Sequence, residues 1–297
     1  MFFPVSGLQV FPLIPFLVAF AISLFTSLGG VSGAFVLLPF QVSILGFAGP
    51  AVTPTNHLFN VVAIPFGVYR YVREGRMVWP LTILIILGTI PGVIAGSLVR
   101  IWYLPEPHRF KLFMAFVLLL LGSQLAAKVL RSKWQHVNPA PHPVNFHVRT
   151  ICFDLHRLEY EFAGSVHRVS TAALFFLTLV IGVIGGAYGV GGGAIIAPFL
   201  VSLFNLPIHT IAGATLMGTC LTSLVGVAFF ALTKPLFGIP GVSPDWLLGG
   251  LLGLGGLFGM YCGARLQKRI SSRLIQVILT ALVLALAISY IIGYFHY

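Results

Sequence analysis

Ten apolar runs separated by short polar breaks set the pattern of the chain. In the first half they cover Pro12 to Leu28, Gly33 to Phe47, Asn56 to Tyr69, Val78 to Val99 and Arg109 to Ala127. In the second they cover Thr171 to Tyr188, Gly193 to Asn205, Ile208 to Leu232, Trp246 to Gly263 and Leu274 to Ile292. Crossing about 30 Å of hydrocarbon takes roughly 20 apolar residues in a helix. Each run therefore predicts a helical segment, although Gly33 to Phe47, Asn56 to Tyr69 and Gly193 to Asn205 are short for a full crossing. The second member is short in both halves, so the order of lengths repeats. The expected fold is an all-α polytopic membrane protein of two repeats with about five segments each.

Composition agrees with this pattern. Of 297 residues, 58% are apolar and 8% charged, with a mean hydropathy of +1.01. Soluble domains average roughly 45–50% apolar and about 25% charged, so a soluble enzyme is excluded. The 6 acids and, apart from Arg109 and Lys111 at the head of the fifth run, the 17 Lys and Arg fall in short polar breaks or in one central segment. A net charge of +11 invites a nucleic-acid reading, but basic residues at the ends of apolar runs are the positive-inside signal of membrane proteins. Cys152, Cys220 and Cys262 form no C-x-x-C pair and no metal spacing, so neither a disulfide framework nor a metal is expected. The opening MFFPVSGLQVFP lacks a basic n-region and a small-residue cleavage site, and reads as a mature start feeding the first span.

Residue patterns repeat as well. Gly30-Val31-Ser32-Gly33 followed by Pro39-Phe40 matches Gly189-Val190-Gly191-Gly192 followed by Pro198-Phe199, at a constant offset. Gly88, Gly92 and Gly96 match Gly255, Gly259 and Gly263, a spacing that also serves close helix packing. Together they argue for an internal duplication, with repeats at 1–127 and 169–297. The segment 128–168, with Asn138-Pro-Ala-Pro-His-Pro143 and partial polar–apolar alternation from Phe146 to Phe162, reads as a cytoplasmic connector carrying a short β-hairpin. Its histidines (His136, His142, His147, His156, His167) are too irregularly spaced to favour a metal site. If every run crosses, Lys and Arg divide eleven to four between the two sides. If the short second runs re-enter without crossing, the division falls to eight against seven. The first arrangement implies inverted repeats, both termini outside and an inner-membrane location.

Candidate chemistry lies at the glycine clusters. Gly29 to Gly33 and Gly189 to Gly193 each end one run and begin a short one, so a helix is expected to break there. Backbone freed at membrane depth is tolerated where it is buried or lines a cavity, and a helix restarting at Gly33 or Gly193 aims its N-terminal N–H groups and positive dipole end inward. Gly30, Ser32, Gly33, Gly189, Gly191, Gly192 and Gly193 are thus candidate anion contacts. Uncharged polar residues follow: Asn56 and Asn60 in the first half align with Thr215 and Thr219 in the second, and each pair is spaced to share one helix face. They offer hydrogen bonds to an anion without a permanent countercharge, or bonds between helices; for Thr222 and Ser223 the latter is expected. No carboxylate lies in the runs to relay protons. His57 is the candidate for proton coupling, with His209 behind it; otherwise the proton rides on the anion.

These glycine clusters followed by Pro-Phe, the duplicated arrangement and the threonine-rich helix after each short run resemble the TauE/SafE family of membrane transporters. The similarity covers nearly the whole chain outside the connector, whose length and histidines depart from a minimal member. The resemblance implies a secondary transporter of sulfite, a sulfonate such as sulfoacetate, or a related sulfur-containing anion, with export favoured. Its implied partners are that small anionic substrate and the lipid bilayer, with no cofactor and an open oligomeric state. Two other readings compete. A passive channel could use the same uncharged site. An intramembrane serine protease could use Gly30-Val31-Ser32-Gly33 with His57 as base, but the repeat copy replaces the serine by Gly191 and keeps its surroundings, which points to backbone geometry. A nucleotide loop at Gly189 to Gly193 is excluded by the absence of a following Gly-Lys-Ser/Thr.

Overall fold

The computed structural model describes residues 1–28, 32–75, 77–134, 148–162, 164–239, 241–266 and 272–295. A two-stranded ribbon, β1 (Phe2–Phe3) and β2 (Leu8–Gln9), leads into α1 (Leu13–Leu28). α2 (Ala34–Pro39) continues through a π-helical turn, Phe40–Ile44, and is followed by α3 (Val52–Ala63), α4 (Pro65–Arg73), α5 (Trp79–Trp102) and α6 (Pro107–Trp134). Three antiparallel strands come next, β3 (Val148–Phe153), β4 (Arg157–Phe162) and β5 (Ser165–Ser170), in the order β3-β4-β5. The second half holds α7 (Thr171–Tyr188), α8 (Gly192–Phe204), α9 (Ile208–Phe237), α10 (Trp246–Leu266) and α11 (Ser272–Phe295).

Six of the described helices are long and apolar enough to cross a membrane, and the chain is an all-α polytopic membrane protein. Leu13–Ser27, Ala34–Ile44 and Gly192–Phe204 are shorter apolar helices. At 1.5 Å per residue, the 11 residues from Ala34 to Ile44 extend only about 16 Å. The third run is two helices, not one: α3 begins at Val52, before Asn56, and the helix is interrupted at Ile64, because Pro65 lacks the N–H that an unbroken helix requires. Helix α6 carries on past Ala127 to Trp134, and the connector carries a three-stranded meander where the alternation pointed to a hairpin.

Polarity is distributed as lipid demands. Asn56, His57, Asn60, Gln41, Thr53, Thr89, Thr222 and Ser223 are fully buried, whereas Ile278, Leu282, Ile288 and Ile292 of α11 and Phe176 and Val180 of α7 face outward. With no water in the hydrocarbon, polar side chains find partners inside the bundle.

Helix packing is set by small residues and obeys an exchange of the two halves. Gly88, Gly92 and Gly96 of α5 lie against Phe175, Leu179 and Val183 of α7, running parallel to it. Gly255, Gly259 and Gly263 of α10 lie against Phe16, Phe20 and Leu24 of α1, also parallel. No Cβ fits at these positions, so backbones touch directly. The α3–α4 arm and α9 run antiparallel, since His57 meets Gly226 while Gly67 meets Leu216. So do α6 and α11, where His108 stacks on Tyr294 at 4.2 Å while Gly122 meets Leu284. Because α3 is parallel to α10 (Leu58 on Gly249, Val62 on Gly253) and α10 to α1, the short second segment must carry the chain back between α1 and α3.

Candidate functional site

The second helix break is built from glycine backbone. Helix α7 ends when Gly189 turns to φ +87, and the N–H groups of Gly189, Val190 and Gly191 all converge on the carbonyl of Gly185, at 2.9, 3.0 and 3.3 Å. Gly191, at φ +77 and ψ 148, then caps α8. That conformation is open only to glycine, and a Cβ there would lie 2.9 Å from the Ser223 hydroxyl. The first-turn N–H groups of α8 have no acceptor within their own helix.

Helix α3 holds this break from the other half of the chain. Asn56 donates through Nδ2 to the carbonyls of Ala34 (3.0 Å) and Gly189 (3.1 Å), joining α2 to the break. Its Oδ1 accepts from Gln41 Nε2 at 3.1 Å. Asn60 donates to the Val190 carbonyl (2.9 Å) and to Ser223 Oγ (3.2 Å). Thr53 donates to the Ala187 carbonyl (3.2 Å), and Tyr188 reaches back to the Phe35 carbonyl (2.9 Å). Five backbone carbonyls, two at the start of α2 and three at the end of α7 and in the break, are thus met by side chains, as burial in an apolar medium requires.

The sequence-derived site residues divide. Gly189, Gly191, Gly192, Gly193, Asn56 and Asn60 gather at one place. Thr215 and Thr219 flank it, since both crowd Gly193, but their hydroxyls bond their own helix at Ala212 and Thr215. Ser32 accepts from the Ala34 N–H at 3.3 Å, and Gly33 packs on Ser23 and Thr26 of α1. Gly30 lies outside the described residues. His57 is buried with Nδ1 at 3.4 Å from Ser223 Oγ and Nε2 at 3.4 Å from the Gly186 carbonyl; its two nitrogens face these groups and not Ser32.

Two residues escaped sequence reasoning. Gln41, which with Ser43 interrupts the apolar second run, is visible as a polar residue in the sequence, but the π-helical turn that presents it is not. Arg100 was counted with the polar breaks, yet it lies inside α5 and is fully buried. Its guanidinium donates to Thr53 Oγ1 (3.0 Å) and to the carbonyls of Gly49 (3.0 Å), Ala48 (3.4 Å) and Leu104, and sits 3.7 Å above the Phe110 ring. Through Thr53 this cation is linked to Ala187, two residues from the break.

Among the described residues no three His, Cys, Asp or Glu gather as a metal site, and all three cysteines are free thiols. The connector sheet packs Leu158 and Tyr160 inward, and Tyr160 bonds Thr210 at the start of α9 at 2.9 Å. Burial there raises the Tyr160 pKa.

Comparison with known proteins places the chain. The family model described as sulfite exporter TauE/SafE matches residues 15–290. The probable membrane transporter protein YjnA of Bacillus subtilis (strain 168) is 24% identical over 261 residues, covering 86% of this chain and 91% of that one. The probable membrane transporter protein YunE of the same organism is 22% identical over 262 residues, covering 85% and 87%. No solved structure matches the chain.

Proposed function

Since the chain belongs to the TauE/SafE sulfite exporter family, a family of membrane transporters and not of enzymes, we propose that it exports a small sulfur-containing oxyanion, sulfite or a sulfonate, by alternating access. The anion is held at the broken helices, with first-turn N–H groups at Gly192 and Gly193 as donors and Asn56 and Asn60 shaping the site. Thr215 and Thr219 line its α9 side, and Ser32 and Gly33 supply the first-half counterpart. His57 is the side chain available for proton coupling. The observation that carries this reading is the break itself: a helix that restarts at membrane depth on glycines, beside buried amides and with no carboxylate in contact. Such an N-terminus favours an anion through its free N–H groups and its dipole.

The repeats are read as inverted, which suits alternating access. Support comes from the antiparallel course of the α3–α4 arm and α9, and of α6 and α11, as corresponding segments. Ser6 bonds Asp245 at the start of α10, and Tyr160 of the sheet bonds Thr210 at the start of α9. α9 and α10 run in opposite directions, so the N-terminal ribbon and the connector sheet lie on opposite faces. The connector side carries most Lys and Arg, which makes it cytoplasmic and the termini external, in the inner membrane. Of the four basic residues counted on the other side, Arg100 is buried, which widens the bias.

Flux of sulfite and simple sulfonates into proteoliposomes of the purified protein, with and without a pH gradient, tests this function. Saturable flux that an Asn56→Ala, Thr215→Ala double variant loses is the expected result. Flux rising linearly with anion would indicate a channel, and no flux of any sulfur anion would remove the substrate assignment.

A further inference from the structure

We infer that Gln41 is a specificity residue that selects an oxyanion still carrying a hydrogen-bond donor, as hydrogensulfite does, over one that carries none. This deepens the proposed function and rests on the anion site described there.

The hydrogen-bond network fixes the direction of each amide. Asn56 faces two carbonyls, of Ala34 and Gly189, and a carbonyl only accepts, so its NH2 must point at them. Its oxygen is then turned toward Gln41, which must present its own NH2. Gln41 Oε1 is left buried with no donor among the described residues. Asn60 repeats the situation: its NH2 is held by the Val190 carbonyl and Ser223 Oγ, and its Oδ1 is likewise buried with no donor. Reversing the Asn56 or Asn60 amide would set oxygen against carbonyl oxygen, and reversing Gln41 would set its oxygen against that of Asn56. Each orphaned acceptor costs about 1–3 kcal/mol when nothing donates to it, and a native protein keeps such groups where they serve a function. Gln41 is carried by a π-helical turn, a feature that recurs at functional sites.

Two kinds of group are therefore brought together around the break: N–H donors at the start of α8, and two unpartnered amide oxygens, of Asn60, whose NH2 bonds Val190, and of Gln41, which is joined to Gly189 through Asn56. A fully deprotonated oxyanion has acceptors only. It satisfies the N–H groups but brings lone pairs toward Gln41 and Asn60. A protonated monoanion satisfies both, with its oxygens on the N–H groups and its O–H on an amide oxygen. A proton then crosses the membrane on the substrate without any carboxylate relay.

Hydrogensulfite, HO–SO2−, and methanesulfinate, CH3–SO2−, make the comparison directly, because both are monoanions of similar size that differ by a hydroxyl against a methyl. With wild-type protein in proteoliposomes at one mildly acidic pH on both sides, the flux at limiting substrate is expected to favour hydrogensulfite by about ten- to hundredfold. Gln41→Met keeps the length of the side chain and removes the acceptor, so the ratio should collapse toward one through loss of hydrogensulfite flux. If that variant does not fold, the wild-type ratio decides alone. Equal fluxes of the two anions overturn the inference while leaving the transporter intact. A sodium requirement with no preference between the anions also overturns it, by assigning the amide oxygens to a cation. Absence of flux for both anions removes the anion site itself, and the inference with it.

Discussion

Helix α3 of the first half and helix α9 of the second pack against each other, yet they spend their polar side chains differently. Asn56 and Asn60 reach across to the carbonyls of Gly189 and Val190. Thr215 and Thr219, aligned with them in sequence, turn back onto their own helix. The labour is thus divided: the first half contributes side-chain amides, and the second contributes the backbone carbonyls of Gly189 and Val190 that those amides hold. The reason lies in reach. An asparagine amide has two donors and an acceptor at the end of a longer side chain, whereas a helical threonine hydroxyl finds a carbonyl one turn back.

The comparison breaks most severely at the glycines. Gly191→Val should cost about 3–5 kcal/mol, from a conformation reserved for glycine together with collision against Ser223 and Thr219. Gly46 in the first half also has a positive φ, +74, but nothing within 4 Å of an added Cβ. Gly46→Ala should therefore cost only about 1 kcal/mol. Yields of folded, monodisperse protein in detergent, followed by thermal unfolding, would rank the two. A ranking in the other order would show that crowding at the break is not what requires glycine.

Next in size is the amide against the hydroxyl. Asn56→Leu strips two carbonyls of a donor and Gln41 of its acceptor, a loss of about 2–4 kcal/mol. Thr215→Val removes one bond within a helix and should change stability by less than about 1 kcal/mol. Melting temperatures of the two variants would measure this, and equal shifts would mean that the division of labour between halves is not real.

The smallest effect concerns the connector sheet, which only one side of the molecule carries. Burial lowers the His167 pKa from its ordinary 6.5, so the folded sheet favours the neutral ring. The stabilisation is complete above 6.5 and is lost as pH falls from there through the lowered folded value. Protection of the β5 amides, corrected for the intrinsic pH dependence of exchange, should fall over that acidic window, and His167→Gln should flatten the response. A fall in protection on the alkaline side instead would refute the assignment.

Much of this was readable along the chain. Apolar runs must be helical in lipid because no water is there to satisfy the backbone, so their places and order follow from composition and spacing. Glycines at 189, 191 and 193 announced a break because positive φ and backbone contact leave few other choices. Gly88, Gly92 and Gly96 announced close packing for a similar reason. Other features depended on contacts distant in sequence. Arg100 stood at the edge of an apolar run like any loop arginine, and only the return of the segment holding Ala48 and Gly49 surrounded it with carbonyls. Gln41 was one polar residue among many apolar ones until the π-helical turn and Asn56 gave its amide a direction. Local composition decides which segments enter the membrane and where they break, because those are properties of neighbouring residues and their solvent. The tertiary structure decides which buried polar atoms are satisfied and which are left over, because hydrogen-bond partners are assigned by packing between helices.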